Sequence, residues 1–253
     1  MSLRFLTAGE SHGQGLVTIV EGLPAGLPIP AAAINAQLAR RQLGVGRGGR
    51  MKIEKDQVTI LSGMRAKVST GSPIALMIPN RDWQRWQKVM DPQLPSQGTA
   101  TVDADSRLSK LGEVTIPRPG HADLAGGMKY NQQDLRNILE RASARETAAR
   151  VAAGAVARIF LTELGVQLAS EVIQVGPIAV PSRPLASFNC EETWQELFDL
   201  DVSPLRCADK TAEEKMVEAI QQAKEKGDSL GGTFRVVARG PAAGNCSTLT
   251  IVS

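Results

Sequence analysis

The short, mostly apolar runs 4–9 and 16–22 read as two short strands around the Gly-rich turn Gly9-Glu10-Ser11-His12-Gly13-Gln14-Gly15. Pro28 and Pro30 lead into a predicted helix over 31–42, with Ile34, Leu38 and Leu43 recurring on one side. Alternation at 52–54 and 57–61 predicts paired strands, and 73–78 another. Between 80 and 120 the pattern lapses: Trp83 and Trp86 stand alone, and Pro92, Pro95, Pro117 and Pro119 punctuate what reads as a long loop. The longest helical pattern spans about 133–164. Leu135, Ile138, Leu139, Ala142, Ala149, Ala152, Ala153 and Val156 give it a mostly small apolar face, which another backbone can approach closely, so a central buried helix is expected. Strands follow at 166–168 and 172–180, then an acidic helix around 191–200. A second acidic helix opens with a capping box, Thr211 to Glu214, and stops at Gly227. A strand at 233–238 and an irregular 240–245 end the pattern. With no internal repeat and no linker, the reading is a single α+β domain.

Composition narrows the chemistry. Of 253 residues 42% are apolar, enough for a packed core, while only 4% are aromatic, so the core is aliphatic and few rings remain for stacking on nucleobases. No apolar run approaches the roughly 20 residues that span a bilayer, and the N-terminus lacks the apolar core of a signal peptide, which points to a soluble cytoplasmic protein. Cys190, Cys207 and Cys246 lack the paired spacing of a zinc site or disulfide framework and read as free thiols in a reducing compartment. The net charge of +3 hides an asymmetry: residues 1–160 carry +8 and residues 161–253 carry −5. Arg outnumbers Lys 19 to 10, mostly in the first part. Because a guanidinium forks onto carboxylate or phosphate where an ammonium is a point charge, that bias suggests anion recognition.

Both histidines of the chain lie in Gly-rich loop motifs rather than apolar stripes: His12 in Gly9-Glu10-Ser11-His12-Gly13, His121 in Pro117-Arg118-Pro119-Gly120-His121-Ala122-Asp123. Imidazole exchanges a proton near neutral pH, and an adjacent Arg can bind the anion that the proton neutralises. Arg40, Arg41, Arg47 and Arg50 surround a helix end and a flexible glycine loop, where the backbone can come close to a ligand. A third group comprises Arg136, Glu140, Arg141, Ser143, Arg145, Glu146 and Arg150, with Arg141 and Arg145 four apart on one expected helix face and Glu146–Arg150 spaced to pair. Walker A, dinucleotide, HExxH and nucleophile-elbow motifs are absent from the sequence. What remains is an arginine anion pocket with two proton-transfer candidates, suited to a phosphorylated, carboxylated small molecule.

At these motifs the sequence resembles chorismate synthase. The resemblance rests on Leu6-Thr7-Ala8-Gly9-Glu10-Ser11-His12-Gly13, Gly46-Arg47-Gly48-Gly49-Arg50-Met51, Arg118-Pro119-Gly120-His121-Ala122-Asp123 with Lys129-Tyr130, Glu140-Arg141-Ala142-Ser143-Ala144-Arg145-Glu146-Thr147, and Gly227-Asp228-Ser229-Leu230-Gly231-Gly232, in family order. It implies a β-α-β sandwich around a central Ala-rich helix, assembled as a homotetramer without nucleic acid or membrane partners. It also implies 1,4-anti elimination of phosphate from 5-enolpyruvylshikimate 3-phosphate, the last common step toward aromatic amino acids, requiring reduced FMN. By this resemblance His12 protonates the departing phosphate and His121 sits by the reduced flavin. Ser11, Arg41, Arg47, Arg50 and Arg118 hold substrate, and Arg141, Ala142 and Ser143 contact FMN. In members that reduce their own flavin, Arg41 and Arg47 correspond to positions assigned to NADP, with NADPH as reductant.

The match fades after Arg239, and 240–253 reads as a non-matching tail on a family domain truncated at its C-terminus. Two other readings follow from the residues: a catalytically inactive truncated or frameshifted product of such a gene, and an RNA-binding Arg-Gly module.

Overall fold

The computed structural model describes residues 2–45, 54–93, 113–181, 183–240 and 247–252. Arg47, Arg50, Cys246, most of the expected strand 52–54 and part of the long loop lie outside the described residues. The chain divides into two compact units, one of residues 1–41 and 49–156, the other of 42–48 and 157–253, where the sequence pattern suggested one domain. This division falls beside the change in charge near residue 160.

In the first unit, β1 (Arg4–Gly9) and β2 (Gly15–Glu21) form the expected antiparallel hairpin, with Leu6 opposite Ile19 and Gly9 opposite Leu16. Gly9 has φ +101°, and a Cβ there would lie 2.3 Å from the Gly15 carbonyl oxygen, so the turn carrying His12 requires glycine. α1 (Ala31–Gln42) buries Ile34, Leu38 and Arg41. β3 (Thr59–Ser62) is followed by a small hairpin of β4 (Met64–Arg65) and β5 (Val68–Ser69), then by β6 (Ile74–Pro79); the main sheet runs β1-β2-β6-β3, antiparallel throughout. Leu16, Thr18 and Val20 of β2 and their partners Ile78, Leu76 and Ile74 of β6 are all buried, as the two-residue period of a half-buried sheet requires.

The stretch read as a long loop contains a helix, α2 (Trp83–Met90), and a second helix, α3 (Asp123–Tyr130), follows it. The expected helix over 133–164 is interrupted. It resolves into a single turn, α4 (Arg136–Leu139), a 3-10 turn (Ala144–Glu146) and α5 (Thr147–Glu163). Ser143, extended at φ −61° and ψ 146°, breaks the run, and its hydroxyl oxygen accepts the Arg145 N–H at 3.3 Å. A serine that satisfies a backbone donor itself competes with helix continuation, which apolar periodicity alone does not register. The small face is nonetheless real: Ala148, Ala149, Ala152 and Val156 are fully buried, and Thr18 Oγ1 donates 2.8 Å to the Ala149 carbonyl, setting this part of α5 against β2. α3 approaches α4 through glycine, since a Cβ on Gly126 would lie 2.4 Å from Ile138 Cγ2.

In the second unit, β7 (Gln167–Val175) and β8 (Ile178–Ala179) are separated by a turn at Gly176, φ +54°, so the expected strand over 172–180 is a hairpin and 166–168 belongs to its first arm. α6 (Glu191–Asp199) and α7 (Lys210–Glu225) are the two acidic helices. The N-cap of α7 is Asp209, whose Oδ1 accepts the Ala212 N–H at 2.9 Å; Thr211 lies inside the helix, not at its cap. β9 (Gly232–Arg239) and β10 (Ser247–Val252) complete an antiparallel sheet of order β10-β9-β7-β8. Ala169, Phe188, Trp194, Leu197, Leu200 and Val237 form its core. Helices and antiparallel sheets make the class α+β.

Candidate active site

The turn between β1 and β2 presents His12, and α4 meets it. Glu140, at the C-terminal end of α4, is 1% exposed. Its Oε2 accepts from Ser11 Oγ at 2.5 Å, from the His12 N–H at 3.0 Å and from His12 Nδ1 at 2.7 Å, while the Ser11 N–H donates to the Glu140 carbonyl at 3.0 Å. Burial raises the Glu140 carboxyl, but the hydrogen bonds from His12 and Ser11 outweigh it and hold the group below the usual carboxylate range. Trp86 of α2, which the sequence pattern left isolated, stacks on the His12 ring at 4.0 Å with 25° between planes, and Arg136 lies over the Trp86 ring and 3.5 Å from Glu140 Oε1.

The second histidine sits in a comparable frame of local origin. His121 Nδ1 lies 2.5 Å from Asp123 Oδ1, and Arg118 Nε donates 2.9 Å to Asp123 Oδ2. Arg118 Nη2 also lies 3.0 Å from the His121 ring. Asp123 is buried, whereas the Arg118 side chain is half-exposed. Hydrogen bonding from Arg118, with help from His121, holds the Asp123 carboxyl down to about 2. Arg118 is raised in turn, first by its bond to Asp123 and also by the charge of Glu140, so the two histidine frames share one electrostatic neighbourhood. Because the folded carboxyl is depressed, its stabilisation is complete above the unfolded value of about 4 and is lost as pH falls toward 2. Denaturation midpoints measured from pH 4 downward are therefore expected to fall more steeply for the wild type than for Asp123→Asn; parallel profiles would show that the frame contributes nothing to stability.

The arginines part company. Arg41 is buried: Nε donates 3.0 Å to Thr147 Oγ1, Nη2 donates 3.1 Å to the Ala144 carbonyl, and Nη1 lies 3.4 Å from Asp56 Oδ2. Arg145 bonds Asp56 Oδ1 at 2.5 Å and Asn80 Oδ1 at 3.0 Å, and lies 3.8 Å from Glu54. Asn80 Nδ2 donates to the Glu10 and Gly13 carbonyls, so this buried lattice grips the His12 turn from below. Arg141 takes another direction, with Nη2 donating 2.9 Å to both Thr7 O and Thr7 Oγ1. Its Nη1 is buried and makes no hydrogen bond among the described residues, lying 3.7 Å from Glu146. Ala142 is exposed and Ser143 half-buried beside it. Glu146 and Arg150 pair at 2.8 Å.

Sequence reasoning therefore located both histidines but missed Glu140 as a histidine partner, Trp86 as its stacking ring and Asn80 as the brace. Asp123 was within reach, two residues from His121; Glu140 carries no such local signal, being 128 residues from His12. Among the described residues no cluster of His, Cys, Asp and Glu is suited to a metal ion, and no helix is long and apolar enough to cross a membrane.

Fold and site together define an α+β protein with two carboxylate-held histidines beside arginines. The sequence model of the chorismate synthase family matches residues 3–250, a span that covers both units and enters β10. A chorismate synthase of Moorella thermoacetica is 54% identical over 242 residues, 96% of this chain and 58% of the relative; that of Bacillus subtilis is 49% identical over 242 residues, 96% and 59%. A crystal structure of chorismate synthase superposes with a TM-score of 0.70 at 42% identity, covering 94% of this chain and 58% of that one. The chain belongs to the chorismate synthase family. It spans just under three fifths of the length of these relatives.

Proposed function

We propose that the protein carries out the reaction of its family, the 1,4-anti elimination of phosphate from 5-enolpyruvylshikimate 3-phosphate to give chorismate, with reduced FMN as cofactor. The observation that carries this reading is the His12 frame. Nδ1 is engaged by a buried carboxylate, the ring is 23% exposed, and no hydrogen bond of Nε2 occurs among the described residues, so that edge is the one presented to a ligand. His12, as the imidazolium whose Nδ1–H is held by Glu140, delivers its Nε2 proton to the phosphate oxygen as the C–O bond breaks and is left as the neutral Nδ1–H tautomer, while cations around the site favour the departing charge. Ser11, Arg41, Arg47, Arg50 and Arg118 form the substrate-binding set, with half-exposed Arg118 facing outward from Asp123 and Arg41 acting through the frame it builds.

Reduced FMN, when bound, supplies electron density transiently to the substrate. The segment Arg141, Ala142 and Ser143 fits an anionic group of this kind, because Arg141 Nη1 is a buried cationic donor with no hydrogen bond among the described residues. His121, held by Asp123 and Arg118, stabilises charge beside it. Arg41 and Arg47 are the positions at which NADPH would bind if the protein reduces its own flavin. A cytoplasmic homotetramer completes the reading; exposed Leu124 and Met128, one turn apart on α3, fit burial against another surface. Matches over 94–96% of the chain support this function over an inactive gene product or an Arg-Gly RNA-binding module.

The experiment is phosphate release under anaerobic conditions, with reduced FMN and substrate, from this chain and from the same chain extended by the C-terminal part of a relative. Release from either supports the proposal. No release from either, with both folded, overturns it.

A further inference from the structure

Within the motif Glu140-Arg141-Ala142-Ser143, the three later residues are those placed against flavin; Glu140 points the other way, into the chain. We infer that Glu140 is the positioning residue of His12, accepting its Nδ1 proton and thereby fixing the ring in the tautomer whose Nε2 faces the ligand.

Proton counting at the site decides the direction of the bond. A carboxylate is an acceptor only, so the donor between Glu140 and Nδ1 must be the ring. Ser11 Oγ, which lies 3.2 Å from Nδ1, has a single hydrogen, and its 2.5 Å contact with Glu140 Oε2 takes it. Ser11 therefore cannot protonate Nδ1 from outside, and Nδ1–H is the form both neighbours require. Among the described residues the charged groups facing Glu140 are His12, Arg136 at 3.5 Å, and Arg118 through its longer-range field, all of which favour an ionised carboxylate. The ring cannot easily swing away. The His12 backbone N–H is tied to Glu140 Oε2, the Ser11 N–H to the Glu140 carbonyl, and one ring face lies against Trp86. With Nδ1 and one face occupied, the site shows a ligand the Nε2 edge, so every proton exchanged with an anion passes there. An imidazole oriented through its second nitrogen by a buried carboxylate is a general way of setting a tautomer, and loss of the carboxylate leaves the ring in place with its neutral-form proton on Nε2, so that Nε2 no longer has the lone pair that takes up the proton to be delivered.

The role depends on the reading of His12 as proton donor, but its test does not depend on turnover. The chain has two histidines, so the 15N-histidine-labelled protein gives two ring spin systems, assigned with His121→Gln. Two-bond 15N–1H correlations, recorded without substrate or flavin above the titration of both rings, are expected to show His12 as the Nδ1–H tautomer in the wild type. In Glu140→Ala they are expected to shift to a predominant Nε2–H tautomer. A wild-type His12 carrying its proton on Nε2 overturns the inference whether or not any variant folds, and so does a folded Glu140→Ala whose tautomer is unchanged. Failure of phosphate release alongside the expected tautomer would count against the proposed reaction and leave this assignment standing.

Discussion

Replacing His12 by alanine, in a chain of the relatives' full length, is expected to lower the turnover of phosphate release by roughly 10²–10⁴-fold, the usual worth of a positioned general acid. Substrate affinity should change little. The turn that carries His12 is held by other groups, namely Gly9, the Ser11 backbone on Glu140, and Asn80 on the Glu10 and Gly13 carbonyls, so the variant loses the proton donor without losing the loop. His121→Ala is expected to act in the same direction, since Arg118 and Asp123 keep their own bond when the imidazole is removed. Anaerobic steady-state kinetics together with equilibrium binding of substrate separate the possibilities. A loss confined to affinity, with turnover unchanged, would show that the histidines only position the substrate.

The largest stability effect is expected at Arg145. Its side chain is 4% exposed and those of Glu54 and Asp56 no more than 2%. Arg145→Met fills the same space but removes the cation that bonds the buried Asp56 carboxylate and lies 3.8 Å from that of Glu54, and breaking such a pair from one side costs about 3–5 kcal/mol. Arg41, 3.4 Å from Asp56, moderates the loss without replacing it, because its other nitrogens are bound to Thr147 and Ala144. Arg145→Lys should recover little, since a single ammonium cannot reach Asn80 and Asp56 together as the planar fork does. Urea denaturation reads the change as a lower midpoint at constant slope. A loss under about 1 kcal/mol would mean the lattice is solvated or redundant.

That lattice also shows where sequence reading stops. Spacing put Arg141 and Arg145 on one helix face, yet Ser143 leaves the helix between them, and they diverge toward Thr7 and toward Asp56 with Asn80. A local preference for bonding a backbone N–H outweighed four residues of helical periodicity. Glu146 and Arg150, both beyond that break, pair as their spacing predicts. Trp86 gave no signal because its partner ring lies on another element, brought to it by folding.

The sequence by itself determined the strand pair around the His12 turn, the small-residue helix, the placement of both histidines in glycine loops and, through its motifs, the family. These are properties of neighbouring residues: alternation, periodicity, and the need for glycine where φ is positive. Only the tertiary structure decided what each functional group is bound to. Glu140 serves His12 from 128 residues away, Arg141 reaches Thr7 across 134, and Arg145 reaches Asp56 across 89. Such pairs form because burial strips water from a charge and leaves it dependent on whatever the fold brings near. Short-range spacing carries no record of that choice.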